Sequence, residues 1–170
     1  MSDKPKQNLG RTLLLIGRIA LGLIFLVAAY EKMKPQGGMP WSLGAINISL
    51  SMFAMGVDSY QMLPTWAVGL VAHAVPIFEL VVGLWLMTGV GLRFSSLLTT
   101  LAVCVFITAM LSAYARGLTI NCGCFGPGEQ IGPLTVARDA LLFFPLSLAV
   151  TIGAFVIHRR AKRDATGASV

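Results

Sequence analysis

The sequence predicts an all-α fold, a polytopic membrane protein built as a bundle of four transmembrane helices. Of its 170 residues, 56% are hydrophobic and only 12% are charged, whereas about a quarter of the residues in a soluble domain are charged. The mean hydropathy is +0.78. Four apolar runs approach the length of about 20 residues that a helix needs to cross a bilayer. These observations favour a single membrane domain over residues 12–157.

Four segments are predicted to span the membrane, at about residues 12–30, 65–87, 94–115 and 135–157. The first is about 28 Å long as a helix, close to the thickness of the hydrocarbon layer. No small-residue cleavage site is evident, so we expect this run to be a retained span and not a removed signal peptide. Residues 1–11 are polar and expected to be disordered, and residues 158–170 form a basic tail.

The segment 41–57, between the first two spans, has two interpretations. Residues 46–52 alternate between apolar and polar side chains as a strand does, whereas Leu43, Ile46 and Leu50 share one face of a helix. An isolated strand beside a bilayer would leave its backbone groups unpaired. We therefore expect an amphipathic helix at the outer, extracytoplasmic interface.

Basic residues at both ends of the chain set the expected orientation. Lys4, Lys6 and Arg11 precede the first span, and four more basic residues follow the last one within 159–163. Basic residues that flank spans lie mostly on the cytoplasmic side. We therefore expect the protein in the inner (cytoplasmic) membrane, with both termini in the cytoplasm. The net charge of +6 is explained in this way, and no nucleic-acid partner is expected.

Two charged residues, Arg18 and Glu79, lie inside predicted spans, where a charge is costly unless it has a partner or a task. Arg18 lies about 9 Å beyond the start of the first span, and Glu79 about 12 Å before the cytoplasmic end of the second. We expect the two to pair. A structural ion pair is favoured, and a role in handling protons or quinone stays open.

Four more charged residues fall near the outer ends of the spans: Glu31, Arg116, Arg138 and Asp139. They are candidates for a polar network beneath the following loop, where positive charge would stabilise a thiolate. The alternative is that they are ordinary residues whose charged heads reach out of the membrane at the span ends.

Cys122 and Cys124 lie one residue apart in the loop before the last span, in a run rich in glycine and proline. A metal site would need about four ligands, and the outer side offers no such set, so no metal is expected. A bridge across one residue closes a very small ring, which constrains little chain entropy and is strained. A reversible dithiol/disulfide pair is therefore favoured over a permanent disulfide, which stays open.

Several stretches together resemble a known family. They are Glu31-Lys32 at the end of the first span, PIFELVVGL at 76–84, NCGCFG at 121–126 and Arg138-Asp139 at the last span. The chain resembles the MauE/DoxX group of small, four-span, redox-associated membrane proteins, and within it the methylamine-utilisation MauE type. The resemblance covers about residues 16–150, and the NCGCFG loop is its most specific part.

The resemblance implies that disulfides are made or relayed outside the membrane, with a thioredoxin-like or other extracytoplasmic partner. It adds quinone as a candidate cofactor, whereas the residues themselves establish none. It assigns Cys122 and Cys124 as the redox pair. The polar positions that it carries over are Glu31, Glu79, Arg138 and Asp139.

The leading hypothesis is a membrane thiol–disulfide relay, and whether the chain is itself an oxidoreductase stays open. With a single outer cysteine pair, it would act as half of a relay or contact quinone directly. The alternative is a non-enzymatic subunit that anchors or assembles a larger membrane complex, with a structural disulfide in the loop. A small-molecule transporter is a third and weaker alternative, based on Arg18 and Glu79.

Overall fold

The structure is a computed structural model that describes residues 4–121 and 130–167, and only the backbone of residues 4–8, 160–162 and 164–167. Six α-helices form in the described chain: α1 Lys4–Met33, α2 Leu43–Ser59, α3 Thr65–Thr88, α4 Leu92–Ala115, α5 Pro133–Arg138 and α6 Phe144–Gly167. A π-helical turn, Asp139–Phe143, connects α5 to α6 without a break.

Four helical stretches are long and apolar enough to cross a membrane: Leu9–Met33, Thr65–Thr88, Leu92–Ala115 and Pro133–Arg159. The predicted all-α, four-span fold is therefore confirmed. The first helix differs from its prediction, because α1 begins at Lys4 and not at residue 12. The segment 4–11, expected to be disordered, is helical, and α6 likewise continues into the basic tail as far as Gly167.

The four long helices pack as a ring in which α1 contacts α3 and α6, and α4 contacts α3 and α6. The backbones of α1 and α3 approach each other closely, because glycines of the two helices face each other there. A Cβ placed on Gly83 would lie 3.0 Å from the carbonyl oxygen of Gly22. Small residues of this kind let membrane helices approach closely, and this contact determines which residues of α1 and α3 lie side by side.

The interior combines an apolar core with small hydroxyl side chains. The apolar core consists of Leu21, Phe25, Val82, Leu86, Val103 and Val150. Between α4 and α6, the Thr100 and Thr151 hydroxyls lie 2.9 Å apart and form a hydrogen bond. Interhelical bonds of this type contribute about 0.6 kcal/mol on average in a membrane bundle, so they support the packing that the core provides.

The helix predicted for 41–57 is confirmed as α2. Its first turn is capped by Ser42, whose hydroxyl accepts a hydrogen bond from the Ala45 N–H at 3.2 Å. The Ser49 hydroxyl donates to the Lys34 carbonyl at 2.8 Å and ties α2 to the end of α1. Ser49 and Leu50 are buried against the bundle, whereas Leu43, two turns before Leu50 on the same face and at the start of the helix, is 82% exposed.

The bundle has two distinct ends. The loop end carries α2 and both residues that flank 122–129, and the terminal end carries Lys4, Gly167 and the turn between α3 and α4. Exposed aromatic side chains surround the loop end: Tyr30, Trp41, Trp66 and Tyr114. Tyr and Trp collect at membrane–water interfaces, so this ring indicates the depth at which the bundle leaves the bilayer.

Candidate functional site

The predicted redox pair, Cys122 and Cys124, lies outside the described residues, but both ends of its segment are described. The Ile131 N–H donates to the Ile120 carbonyl at 2.8 Å, and Asn121 pairs with Gln130 as an antiparallel bridge. The chain therefore leaves the bundle and returns to it at one point, and the segment that carries the cysteines begins and ends there.

A small apolar cluster anchors this loop base. Ile131 is buried against Met110 and Ala113 of α4, and four partly buried side chains surround them: Tyr60, Leu118, Ile120 and Val136. Arg116, at the end of α4, donates to the Tyr60 carbonyl at 2.5 Å and to the Ser112 carbonyl at 3.1 Å. Arg116 thus ties α4 to the turn between α2 and α3 and holds the elements around the loop base together.

A polar cavity of about 510 Å³ lies beside the loop base, between the end of α1 and α2. Its polar wall includes Glu31, Lys32, Ser49, Thr119, Asn121 and Gln130. A volume of this size is typical of small-molecule and cofactor sites. The cavity therefore places a charged wall next to the two residues from which the cysteine segment emerges.

A buried ion pair forms one side of this region. The Lys32 ammonium lies 2.9 Å from Glu79 Oε1, and the two residues are only 5% and 3% exposed. The ammonium also donates to the Ala28 carbonyl at 3.4 Å and lies 5.4 Å from the centre of the Phe53 ring. Because Lys32, Phe53 and Glu79 belong to α1, α2 and α3, the pair joins three helices.

The predicted pair of Arg18 with Glu79 does not form among the described residues. Arg18 instead donates to the Met87 carbonyl at 3.4 Å, and its guanidinium lies against Gly89. Since Gly22 faces Gly83, the antiparallel register places Arg18 level with Met87, and about 12 Å separates Met87 from Glu79 along α3. The prediction failed because it assumed that residue 12 lies level with Met87, whereas Arg18 has that position and α1 extends beyond the end of α3.

The four polar residues expected to form one network do not all meet in the described part of the chain. Arg138 Nε and Asp139 Oδ1 lie 2.8 Å apart at the start of the π-helical turn. Glu31 lies 3.8 Å from Lys34, and Arg116 binds the backbone carbonyls described above. In the part of the chain that the structure describes, moreover, no cluster of three or more His, Cys, Asp or Glu side chains is placed to hold a metal ion.

An apolar groove of about 460 Å³ adjoins the polar cavity, between α2, α3 and α4. The two share Phe53, Gly56 and Asn121, and the groove adds the aromatic rings of Phe78 and Phe106. A quinone has an apolar chain and a polar ring, and an apolar groove that joins a polar cavity offers contacts suited to both parts. The residues present therefore fit the cofactor that the resemblance suggested.

Lys32 is the site residue that the sequence analysis missed. It was noted only as part of Glu31-Lys32 at the end of the first span, although it continues the buried stripe of α1 formed by Leu21, Phe25 and Ala28. The steps of four, three and four residues keep all four side chains on one face of a helix. That spacing was a usable signal, and it indicates that the Lys32 side chain points into the bundle.

Residues 10–155 match the model of a family described as "Methylamine utilisation protein MauE". The match includes all of α2, α3 and α4, both residues of the buried ion pair and both ends of the cysteine segment. Neither the comparison with curated proteins nor that with solved structures found a match.

Proposed function

This chain belongs to the MauE family of membrane proteins, described by their part in methylamine utilisation, and we propose that it acts as a membrane thiol–disulfide relay. The observation that carries the proposal is the loop base. Asn121 and Gln130, the residues on either side of the cysteine segment, pair as an antiparallel bridge beside a polar cavity with a charged wall. In our proposal a short, exchangeable disulfide between Cys122 and Cys124 meets its partner at this end of the bundle.

The exchange moves two electrons and two protons. A thiolate of the partner attacks one sulfur of the Cys122–Cys124 disulfide, forms a mixed disulfide and releases the other sulfur as a thiolate. The second thiolate of the partner then breaks the mixed disulfide, so the partner leaves oxidised and the pair remains as a dithiol. The same steps in reverse reduce a partner. A thioredoxin-like or other extracytoplasmic protein has the dithiol that this chemistry requires.

Restoring the disulfide requires a two-electron acceptor, and we propose that a quinone fills this role. When bound, a quinone takes up two electrons and two protons. In this chain, Phe53 and Phe106 would provide apolar contact for its hydrocarbon chain, and Asn121 would provide an amide where the groove meets the polar cavity. Lys32 supplies a positive charge in the cavity wall, held in place by Glu79.

Trapping of mixed disulfides tests the proposal. In Cys122→Ser and Cys124→Ser variants the remaining thiol of the pair cannot complete the exchange, so we expect a partner to stay attached through a bond that reductant cleaves. Cys104, a free cysteine on α4, supplies the matched control, and Cys104→Ser added to each variant should leave the adduct unchanged. The absence of an adduct from both variants, or its loss on removing Cys104, would contradict the relay.

The alternative is a non-enzymatic subunit of a larger membrane complex, and one observation favours it. One face of α2 carries three exposed apolar side chains, Ile48, Met52 and Met55, of which Met55 is 74% exposed. A neighbouring membrane protein would cover such a face. A double Cys122→Ser/Cys124→Ser variant separates the two functions, because it abolishes a relay but leaves an assembly subunit active.

A further inference from the structure

Charge is divided unevenly between the two ends of the bundle. Of the described carboxylates, Glu31, Asp58 and Asp139 lie towards the loop end, and Glu79 lies within the bundle bound to Lys32. The described arginines of the terminal end form no ion pair with a described carboxylate: Arg11, Arg18, Arg93, Arg159 and Arg163. The described side chains of this end therefore carry an excess of positive charge.

A pocket of about 320 Å³ opens within this basic end, between α1, the start of α4 and α6. Arg93 and His158 form its polar wall, and the rest is apolar, with Leu14, Phe94 and Ile157. The pocket thus joins two basic side chains to a hydrocarbon surface at the end of a transmembrane bundle. A ligand that fits both parts has an anionic head and an apolar chain.

Arg93 is half-buried in this wall, and its guanidinium makes no ion pair or hydrogen bond with any described residue. A guanidinium has five N–H donors in a fixed fork that matches the oxygens of a phosphate. By contrast, Arg116 at the loop end uses its donors on two backbone carbonyls. Arg93 is therefore a basic group in the pocket wall whose N–H donors are not used by the described residues.

We propose that this pocket binds an anionic phospholipid, with its phosphate at Arg93 and His158. The upper part of an acyl chain would then lie against Leu14, Phe94 and Ile157. Basic pockets between transmembrane helices are typical sites for anionic headgroups. Inorganic phosphate is also an anion with phosphate oxygens, but it lacks the chain that the apolar wall would contact. The site is independent of the cysteine pair and of the proposed relay.

Trp85 provides a local reporter of this pocket. Its indole N–H donates to the Val90 carbonyl at 2.7 Å, and a Cβ on the pocket residue Gly91 would lie 3.8 Å from its ring. Substituting the other two tryptophans, as Trp41→Phe/Trp66→Phe, leaves Trp85 as the sole tryptophan, which excitation at its long-wavelength edge selects over tyrosine. In phosphatidylcholine vesicles, we expect brominated phosphatidylglycerol to quench Trp85 at lower mole fraction than brominated phosphatidylcholine. Equal quenching by the two lipids would overturn the proposal.

Substitutions within and outside the pocket separate a site from diffuse attraction. We expect Arg93→Gln to weaken the preference for phosphatidylglycerol about fivefold, the effect of one basic residue near an anionic surface. Arg93→Lys keeps the charge and should keep most of the preference. That result would show that the loss in Arg93→Gln comes from the missing charge and not from misfolding. Arg11→Gln removes an exposed charge at the same end but outside the pocket, and should change little.

Two results would overturn the site. Equal weakening by Arg11→Gln and Arg93→Gln would mean that the lipid responds to the overall charge and not to this pocket. Full reversal of the preference by millimolar inorganic phosphate would mean that the pocket recognises phosphate without its lipid chain. Retention of the preference in phosphate, together with its loss in Arg93→Gln alone, is the result that the proposal predicts.

Discussion

At the scale of single residues, the Lys32–Glu79 pair is the most costly feature of the bundle. Removing both charges from water is unfavourable, and the attraction between them offsets this only with good geometry and added hydrogen bonds. The lysine meets this condition, since its ammonium lies 2.9 Å from Glu79 Oε1 and faces the Ala28 carbonyl and the Phe53 ring, whereas Glu79 Oε2 is buried without a hydrogen-bond partner in the described part of the chain. The pair therefore holds α1, α2 and α3 together only while both partners are present.

A double-mutant cycle tests this pair. We expect Glu79→Gln alone to lower the free energy of unfolding by about 3–5 kcal/mol, because it leaves Lys32 buried without its counter-charge. Lys32→Met in the same chain should recover part of that loss, giving a coupling energy of about 0.5–3 kcal/mol. Unfolding by SDS in mixed micelles measures each variant.

Arg18 is the matched control for this cycle. It is a second cation of α1, but it binds the Met87 carbonyl and not Glu79. We expect Arg18→Met and Glu79→Gln to be additive within about 0.5 kcal/mol, as for residues without direct contact. Strong coupling of Glu79 to Arg18, with none to Lys32, would restore the pairing that the sequence analysis expected and contradict the structure.

Gly89 allows the position of the Arg18 guanidinium to be tested. Gly89 ends α3 with φ of 73°, and a Cβ there would overlap that guanidinium. Gly117 follows α4 with φ of 68° and has open space around it, so Gly117→Ala should cost only the left-handed backbone penalty of about 1–2 kcal/mol. We expect Gly89→Ala to cost at least about 1 kcal/mol more, as measured by SDS unfolding. Equal costs would mean that the guanidinium does not lie against Gly89.

At the scale of elements, the hydropathy of the chain and the helical spacing of its apolar residues were enough to predict the four spans and α2. The apolar runs differ so strongly from their flanks that each span was found within a few residues. The relative register of the spans was not predictable in the same way, because it depends on a tertiary contact between Gly22 and Gly83. The partner of Glu79 was missed for that reason, although the buried stripe of α1 already pointed to Lys32.

The register contact itself can be tested on α3. A Cβ on Gly83 would meet both the Gly22 carbonyl oxygen and the Leu26 side chain at 3.0 Å. We expect Gly83→Ala to destabilise the bundle by about 1–3 kcal/mol, the usual cost of overpacking. Gly69, on the same helix with nothing within 4 Å, is the control, and Gly69→Ala should be neutral or stabilising by up to about 1 kcal/mol. A destabilising Gly69→Ala with a harmless Gly83→Ala would contradict the packing of α1 on α3.

At the scale of the whole molecule, the two ends of the bundle differ in chemistry. The terminal end is basic. The loop end carries the exposed tyrosine and tryptophan side chains, the polar cavity and the residues that flank the cysteine segment. Basic residues favour the cytoplasmic side, so we predict that the loop end is extracytoplasmic. Disulfides persist in that compartment, which is the condition that a relay through Cys122 and Cys124 requires.

Thiol labelling tests this orientation. After treatment of intact cells with an impermeant reductant, an impermeant maleimide should label Cys122 and Cys124, because both lie in the loop between α4 and α5. Cys104, in the middle of α4, should be labelled only after denaturation. Labelling of the pair that appears only after lysis would invert the orientation.

Redox titration of the cysteine pair tests the central claim most directly. A Cys104→Ser variant leaves Cys122 and Cys124 as the only thiols, since the chain has three cysteines. Alkylation of this variant in membranes, equilibrated at a series of fixed potentials, counts the thiols that are free at each one. We predict a two-electron transition with a midpoint between about −270 and −120 mV, the range of thiol–disulfide catalysts. A pair that stays oxidised below about −300 mV, as structural disulfides do, would contradict the relay.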